Sequence, residues 1–239
     1  MKKHLSVFML VARAGVYRLL ALFILMTAAE CALFRIGLHS SGLEHAVRAS
    51  GTAIVFCVSF LLVTLLLCSS GCSFSSQPGY TLRRLSVSER SVFLWQAGYN
   101  AMAYLILWGV QVLAAFLLCR IYVSANPDST SGQTVFLAFY RNAFLHSLLP
   151  LEETGRWVSN TALALGLGVC TAAIPFWQRR RKKKLAPVLM VLMAVLFFKS
   201  PLGTLSGNAL LPIFTGILCT YTVRSVWLEA KEGCADEET

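Results

Sequence analysis

Charge is scarce in this chain. Asp, Glu, Lys and Arg make up 13% of its 239 residues, where a soluble globular domain carries about 25%, so a fold solvated by water alone does not fit. No Ser/Pro-rich or acidic stretch divides the sequence, which argues for one domain. Catalytic patterns are lacking as well. His4, His39, His45 and His146 show no H-E-x-x-H spacing, no G-x-S-x-G elbow occurs, and the neighbouring Glu152 and Glu153 would point in different directions on a helix. The reading is therefore not an enzyme. A Gly-x-x-x-x-Gly-Lys-Ser/Thr phosphate loop is missing too, so any ATP-driven work needs a partner. Cys68 and Cys72 have helical i, i+4 spacing but no matching second pair of ligands, and neither a metal nor another cofactor is expected. Six of the eight cysteines, Cys31, Cys57, Cys68, Cys119, Cys170 and Cys219, lie in or at the ends of apolar runs. They read as small buried hydrophobes rather than a disulfide framework.

Hydrophobic residues, at 56%, are what the chain has in excess. A membrane-crossing helix needs about 20 predominantly apolar residues. Val16–Phe34, Thr52–Gly71, Ala97–Val123 and Trp157–Trp177 satisfy this, and the shorter Leu185–Phe198 and Ala209–Val223 follow, parted by a Pro- and Gly-containing turn. These two are read as short spans, with a re-entrant hairpin as the alternative. The expected fold is all-α: a polytopic membrane bundle of about six transmembrane helices and two interfacial amphipathic segments. It occupies residues 1–228 as a single transmembrane domain, with 229–239 as an acidic cytoplasmic tail. The apolar N-terminal run has a basic start but no small-x-small cleavage pattern in the usual place, so it is read as a retained first helix.

The net charge of +10 does not indicate nucleic acid, because the basic residues fall in the gaps between apolar runs. With the N-terminus inside, 15 of the 21 Lys and Arg residues lie on the cytoplasmic side, among them Arg179, Arg180, Arg181, Lys182, Lys183 and Lys184. That bias predicts a multi-pass protein of the cell membrane with both termini cytoplasmic. The six-residue cluster is a candidate for anionic lipid headgroups. Tyr80–Trp95 inside and Val135–Leu149 outside are the two interfacial segments.

Few polar groups interrupt the spans. Glu30 lies about one turn from the outer end of the first span, where it is expected to snorkel or to pair with Arg35 or Arg120; a place in a transport path is the alternative. Gln111 falls in the middle of the third run, where a hydrogen bond to a neighbouring helix is expected and a substrate contact is the alternative. Gly166 and Gly168 would allow close helix approach, and Pro175, Pro187 and Pro212 would bend their helices.

The segment Tyr80-Thr-Leu-Arg-Arg-Leu-Ser-Val-Ser-Glu-Arg-Ser-Val-Phe-Leu94 resembles the cytoplasmic stretch after the second span in ABC-2 type transporter permeases. Ser86 stands where that pattern commonly has proline, and Glu89 precedes Arg90. The resemblance covers about fifteen residues. It implies that Leu82, Arg83, Arg84, Leu85, Arg90 and Phe93 dock on a separate ABC ATPase subunit, and that two permease halves, alike or different, form the path. The functional expectation is thus a permease-like subunit of an ABC export system. The alternative is a non-transporting membrane scaffold held to lipid by its basic cluster.

Overall fold

The computed structural model describes residues 2–38, 42–70, 88–127, 130, 132–151, 153–179, 185–199 and 205–235. They form nine helices: α1 (Lys2–Gly37), α2 (Leu43–Ala49), α3 (Thr52–Ser70), α4 (Glu89–Ala125), α5 (Thr134–Arg141), α6 (Ala143–Leu148), α7 (Thr154–Arg179), α8 (Ala186–Lys199) and α9 (Leu205–Ala235). No strand occurs among the described residues.

The distribution of side chains identifies lipid as the solvent. On α3, Ile54, Val58, Leu61 and Leu65 form an exposed apolar stripe at helical spacing, while Ser59 and Thr64 are buried. Water would reverse that arrangement. In a bilayer, large aliphatic residues can face the surroundings and small or hydrogen-bonding residues turn inward to the neighbouring helices. Five helices, α1, α3, α4, α7 and α9, are long and apolar enough to cross a membrane. The sixth apolar helix, α8, has 14 residues and rises about 21 Å, short of about 30 Å of hydrocarbon. Its Ala186 packs with Phe176 and Trp177, and its Phe197 ring lies 5.3 Å from the Arg156 guanidinium. Helix α8 therefore connects the two ends of α7.

Pairwise contacts set the directions of the helices. Phe93 meets Phe176 at 5.8 Å and Trp108 meets Trp157 at 5.3 Å, ring centre to ring centre, so α4 and α7 are antiparallel. Helix α9 runs parallel to α7: Gly166 faces Thr215 and Cys219, and Trp177 donates to Ser225 Oγ at 3.2 Å. Close approach depends on small residues. A Cβ on Gly168 would fall 2.6 Å from the Ala101 backbone nitrogen, and one on Gly166 would reach the Met190 methyl at 2.7 Å. Pro175 and Pro212 are inside α7 and α9. Pro187 does not bend a helix, contrary to expectation: it is the second residue of α8, where its missing N–H has no intrahelical acceptor to lose.

Three features depart from the linear reading. The Val135–Leu149 segment is two helices broken at Asn142, whose Oδ1 accepts from Phe144 N at 3.0 Å and Leu145 N at 3.3 Å, a side-chain N-cap for α6. Helix α6 is not spread on a surface, since Phe144, Leu145, His146, Ser147 and Leu148 are all buried. Residues 80–87 of the inner segment lie outside the described residues, and Glu89–Trp95 forms the first turns of α4. That helix has 37 residues and is about 55 Å long, well beyond a bilayer core. It continues past the level at which α7 begins, and Phe116 there stacks on Phe139 of α5 at 5.0 Å. The seven-residue α2 was not expected; Gly51, at φ +65°, turns the chain from it into α3. Helix α9 carries the first residues of the expected tail in helical form to Ala235.

Candidate functional site

Helix α4 carries a buried polar residue toward each of three neighbours. Asn100 Nδ2 donates to Thr171 Oγ1 of α7 at 3.0 Å, the Tyr104 hydroxyl to Thr64 Oγ1 of α3 at 3.0 Å, and Gln111 Nε2 to Glu30 Oε1 of α1 at 2.8 Å. Spacings of four and seven put these residues on one stripe of the helix. Their polar atoms can be satisfied only by neighbouring helices where lipid offers nothing.

The pair formed by Glu30 and Gln111 joins the two residues considered for a transport path. Glu30 is 0% and Gln111 1% exposed. The expected ion pair does not form: Arg35 and Arg120 are both exposed, and the carboxyl group turns instead into the α1–α4 interface. The reason is register. Gly15 faces Tyr99, Glu30 faces Gln111 and Asn126 Nδ2 donates to Leu38 O, so α1 and α4 run parallel and in step. Gln111 lies one turn beyond Trp108, which touches Trp157 in the first turn of α7. Glu30 Oε2 and Gln111 Oε1 have no hydrogen-bond partner among the described residues. A path at this point requires α1 and α4 to separate.

The base of the bundle, where α4 begins, holds part of the expected docking surface. Arg90 lies with its guanidinium 6.0 Å from the Trp227 ring centre, and Phe93 meets Phe176 at 5.8 Å and Trp227 at 6.2 Å, both edge-on. Phe93 is 0% exposed, so it is not a docking contact as expected; it fixes the start of α4 between α7 and α9. Leu82, Arg83, Arg84 and Leu85 lie outside the described residues, as do Arg180, Arg181, Lys182, Lys183 and Lys184. Arg179 is the last residue of α7.

The opposite end is capped by α2, α5 and α6; the sequence marked Val135–Leu149 there as an interfacial segment but named no site residue in it. There the chain turns from α6 toward α7 inside the bundle, and the carbonyls at the end of α6 and in the connection are met by side chains. Ser147 O accepts from Asn160 Nδ2 at 3.1 Å, Leu148 O from Trp108 Nε1 at 2.9 Å, and Pro150 O from Trp157 Nε1 at 2.7 Å. Arg156 is 2% exposed there. Asn100 and Asn160 bear the same signal as Gln111, a carboxamide inside an apolar run, and could have been found by it. Among the described residues no group of three His, Cys, Asp or Glu side chains is placed to hold a metal.

Comparison with family models, with curated proteins and with solved structures returns no match to this chain. The chain is a polytopic helical membrane protein, and its more specific role rests on its own residues.

Proposed function

We propose that this protein is a permease-like transmembrane subunit of an ABC export system that works with a separate ATPase subunit. The observation that carries the reading is the joint at the base. The segment that resembles the permease docking stretch runs directly into α4, and Phe93 links that helix's first turns to α7 and α9. A displacement of the docking segment is thereby delivered to three membrane helices together. On this reading the base faces the cytoplasm of a cell membrane, both termini lie on that side, and two permease halves assemble around the path. ATPase closure rocks α4, and the α1–α4 interface at Glu30 and Gln111 is where the bundle opens.

The test is a pull-down of tagged protein in mild detergent, wild type against Arg83→Glu with Arg84→Glu. An ATPase subunit recovered with wild type and lost from the variant supports the proposal. If no ATPase accompanies wild type, the proposal fails and the lipid-bound scaffold takes its place. Neutralising Arg179 to Lys184 should then abolish function without impairing insertion.

A further inference from the structure

Two features near the Arg156 end of α7 are explained by one ligand. The first is a groove of about 600 Å³ between α8 and α9, lined by apolar side chains that include Met193, Leu196 and Phe197 of α8 and Leu210, Ile213 and Ile217 of α9. Leu196, Leu210, Ile213 and Ile217 are 52–63% exposed, so the groove lies open along the lipid face. Its volume is within the range that encloses a ligand rather than a stray solvent molecule.

The second is Arg156 itself. It is 98% buried by its 2% exposure, and its Nε and Nη1 have no hydrogen-bond partner among the described residues. Its guanidinium rests on the Phe197 ring at 5.3 Å, a cation–π contact. That contact leaves Nε and Nη1 unused; the carboxylate of Glu153, just before α7, acts on the same cation, and a guanidinium withdrawn from water is strongly unfavourable unless its remaining donors meet an anion. Phe197 belongs to both features, as a wall of the groove and the platform beneath the cation. The neighbouring Trp157, 41% exposed with its Nε1 donating to Pro150 O, marks this level as headgroup depth, where tryptophan is enriched.

We infer that the α8–α9 groove and Arg156 bind an anionic glycerophospholipid, with an acyl chain along the groove and the phosphate at the guanidinium. A planar fork of N–H donors suits two phosphate oxygens at once. The groove supplies no polar group for a zwitterionic head, so selectivity for negative charge comes from Arg156. The site is independent of the permease proposal and lies at the other end of α7 from the basic run 179–184.

Native mass spectrometry of protein reconstituted with equal phosphatidylglycerol and phosphatidylcholine, then extracted in mild detergent, tests this. Wild type should retain phosphatidylglycerol about fivefold over phosphatidylcholine, the preference of one arginine near a headgroup. Arg156→Gln should lower the ratio severalfold, to the preference that the basic run supplies alone, and Arg156→Lys should keep most of the wild-type preference. Ile213→Trp, at an exposed position where the core is unaffected, should lower retention of both lipids. The basic run is the same in every variant and does not alter the comparison. Parity in wild type, an unchanged ratio in Arg156→Gln, or undiminished retention in Ile213→Trp would each overturn the inference, and the last remains measurable if Arg156→Gln does not fold.

Discussion

The two ends of the bundle solve the problem of ending helices in a membrane in opposite ways. At the base, helix ends meet through side-chain packing: Phe93, Phe176, Trp177, Ala186 and Val226 form one apolar cluster. Trp177 gives its N–H to another side chain, Ser225 Oγ. At the capped end the chain bends while still within the bundle, and the peptide carbonyls of Ser147, Leu148 and Pro150 take donors from Asn160, Trp108 and Trp157. Polar atoms remain there without partners among the described residues, namely His146 Nδ1, Asn160 Oδ1 and Arg156 Nε and Nη1. Packing closes one end and hydrogen bonds close the other. The base therefore suits a joint that moves as a unit, and the cap suits a surface that recognises a polar group.

Substitutions can separate these two modes. The largest effect is expected for Phe93→Ala at the base, which removes a fully buried ring and its two aromatic neighbours' contacts. A buried Phe→Ala change costs about 4 kcal/mol, so the detergent melting temperature should fall steeply. On the permease reading, Arg90 and the segment before it would still bind the ATPase, with transport uncoupled from hydrolysis. An unchanged melting temperature would show that the base is not held by packing.

At the cap, Trp108→Phe keeps most of the ring and deletes the donor to Leu148 O. A buried carbonyl left without its hydrogen bond costs about 2 kcal/mol, read as a lower midpoint in thermal unfolding. Next comes Gln111→Leu, expected to cost about 1.5 kcal/mol because the Glu30 carboxyl loses its hydrogen bond. Pairing it with Glu30→Leu should recover much of that loss, since removing both partners leaves nothing polar uncompensated. If the double variant is simply the sum of the singles, the two residues are not coupled.

The fold class was legible because apolar length and loop charge are properties of the linear sequence. The run beginning at Thr52 becomes α3 (Thr52–Ser70), and a sixth, shorter helix appears where the fifth apolar run lies. What could not be read depends on how separate helices are set against one another. Glu30 pairs with Gln111 because α1 and α4 are parallel and in register, whereas a search by loop depth pointed to Arg35 or Arg120. Phe93 looked like an interfacial residue because the start of α4 is amphipathic; only the arrival of Phe176 and Trp227 from distant parts of the chain buries it. The break at Asn142 carried a local signal, an N-cap residue ahead of an apolar stretch, that the overall hydrophobicity of the segment concealed.

The smallest expected effect makes the sharpest contrast between the ends. Trp177→Phe at the base, like Trp108→Phe at the cap, deletes an indole N–H that donates to a neighbouring helix or chain segment. The acceptor at the base is a serine hydroxyl, which can rotate and donate to a carbonyl one turn back on its own helix. The acceptor at the cap is the carbonyl of Leu148, the last residue of α6, fixed in place. Trp177→Phe should therefore cost about 0.5–1 kcal/mol, at most half the loss in Trp108→Phe when both are melted in the same detergent. Equal losses would mean that the carbonyls at the cap have other donors within reach, and that the two ends differ in shape but not in how their hydrogen bonds are secured.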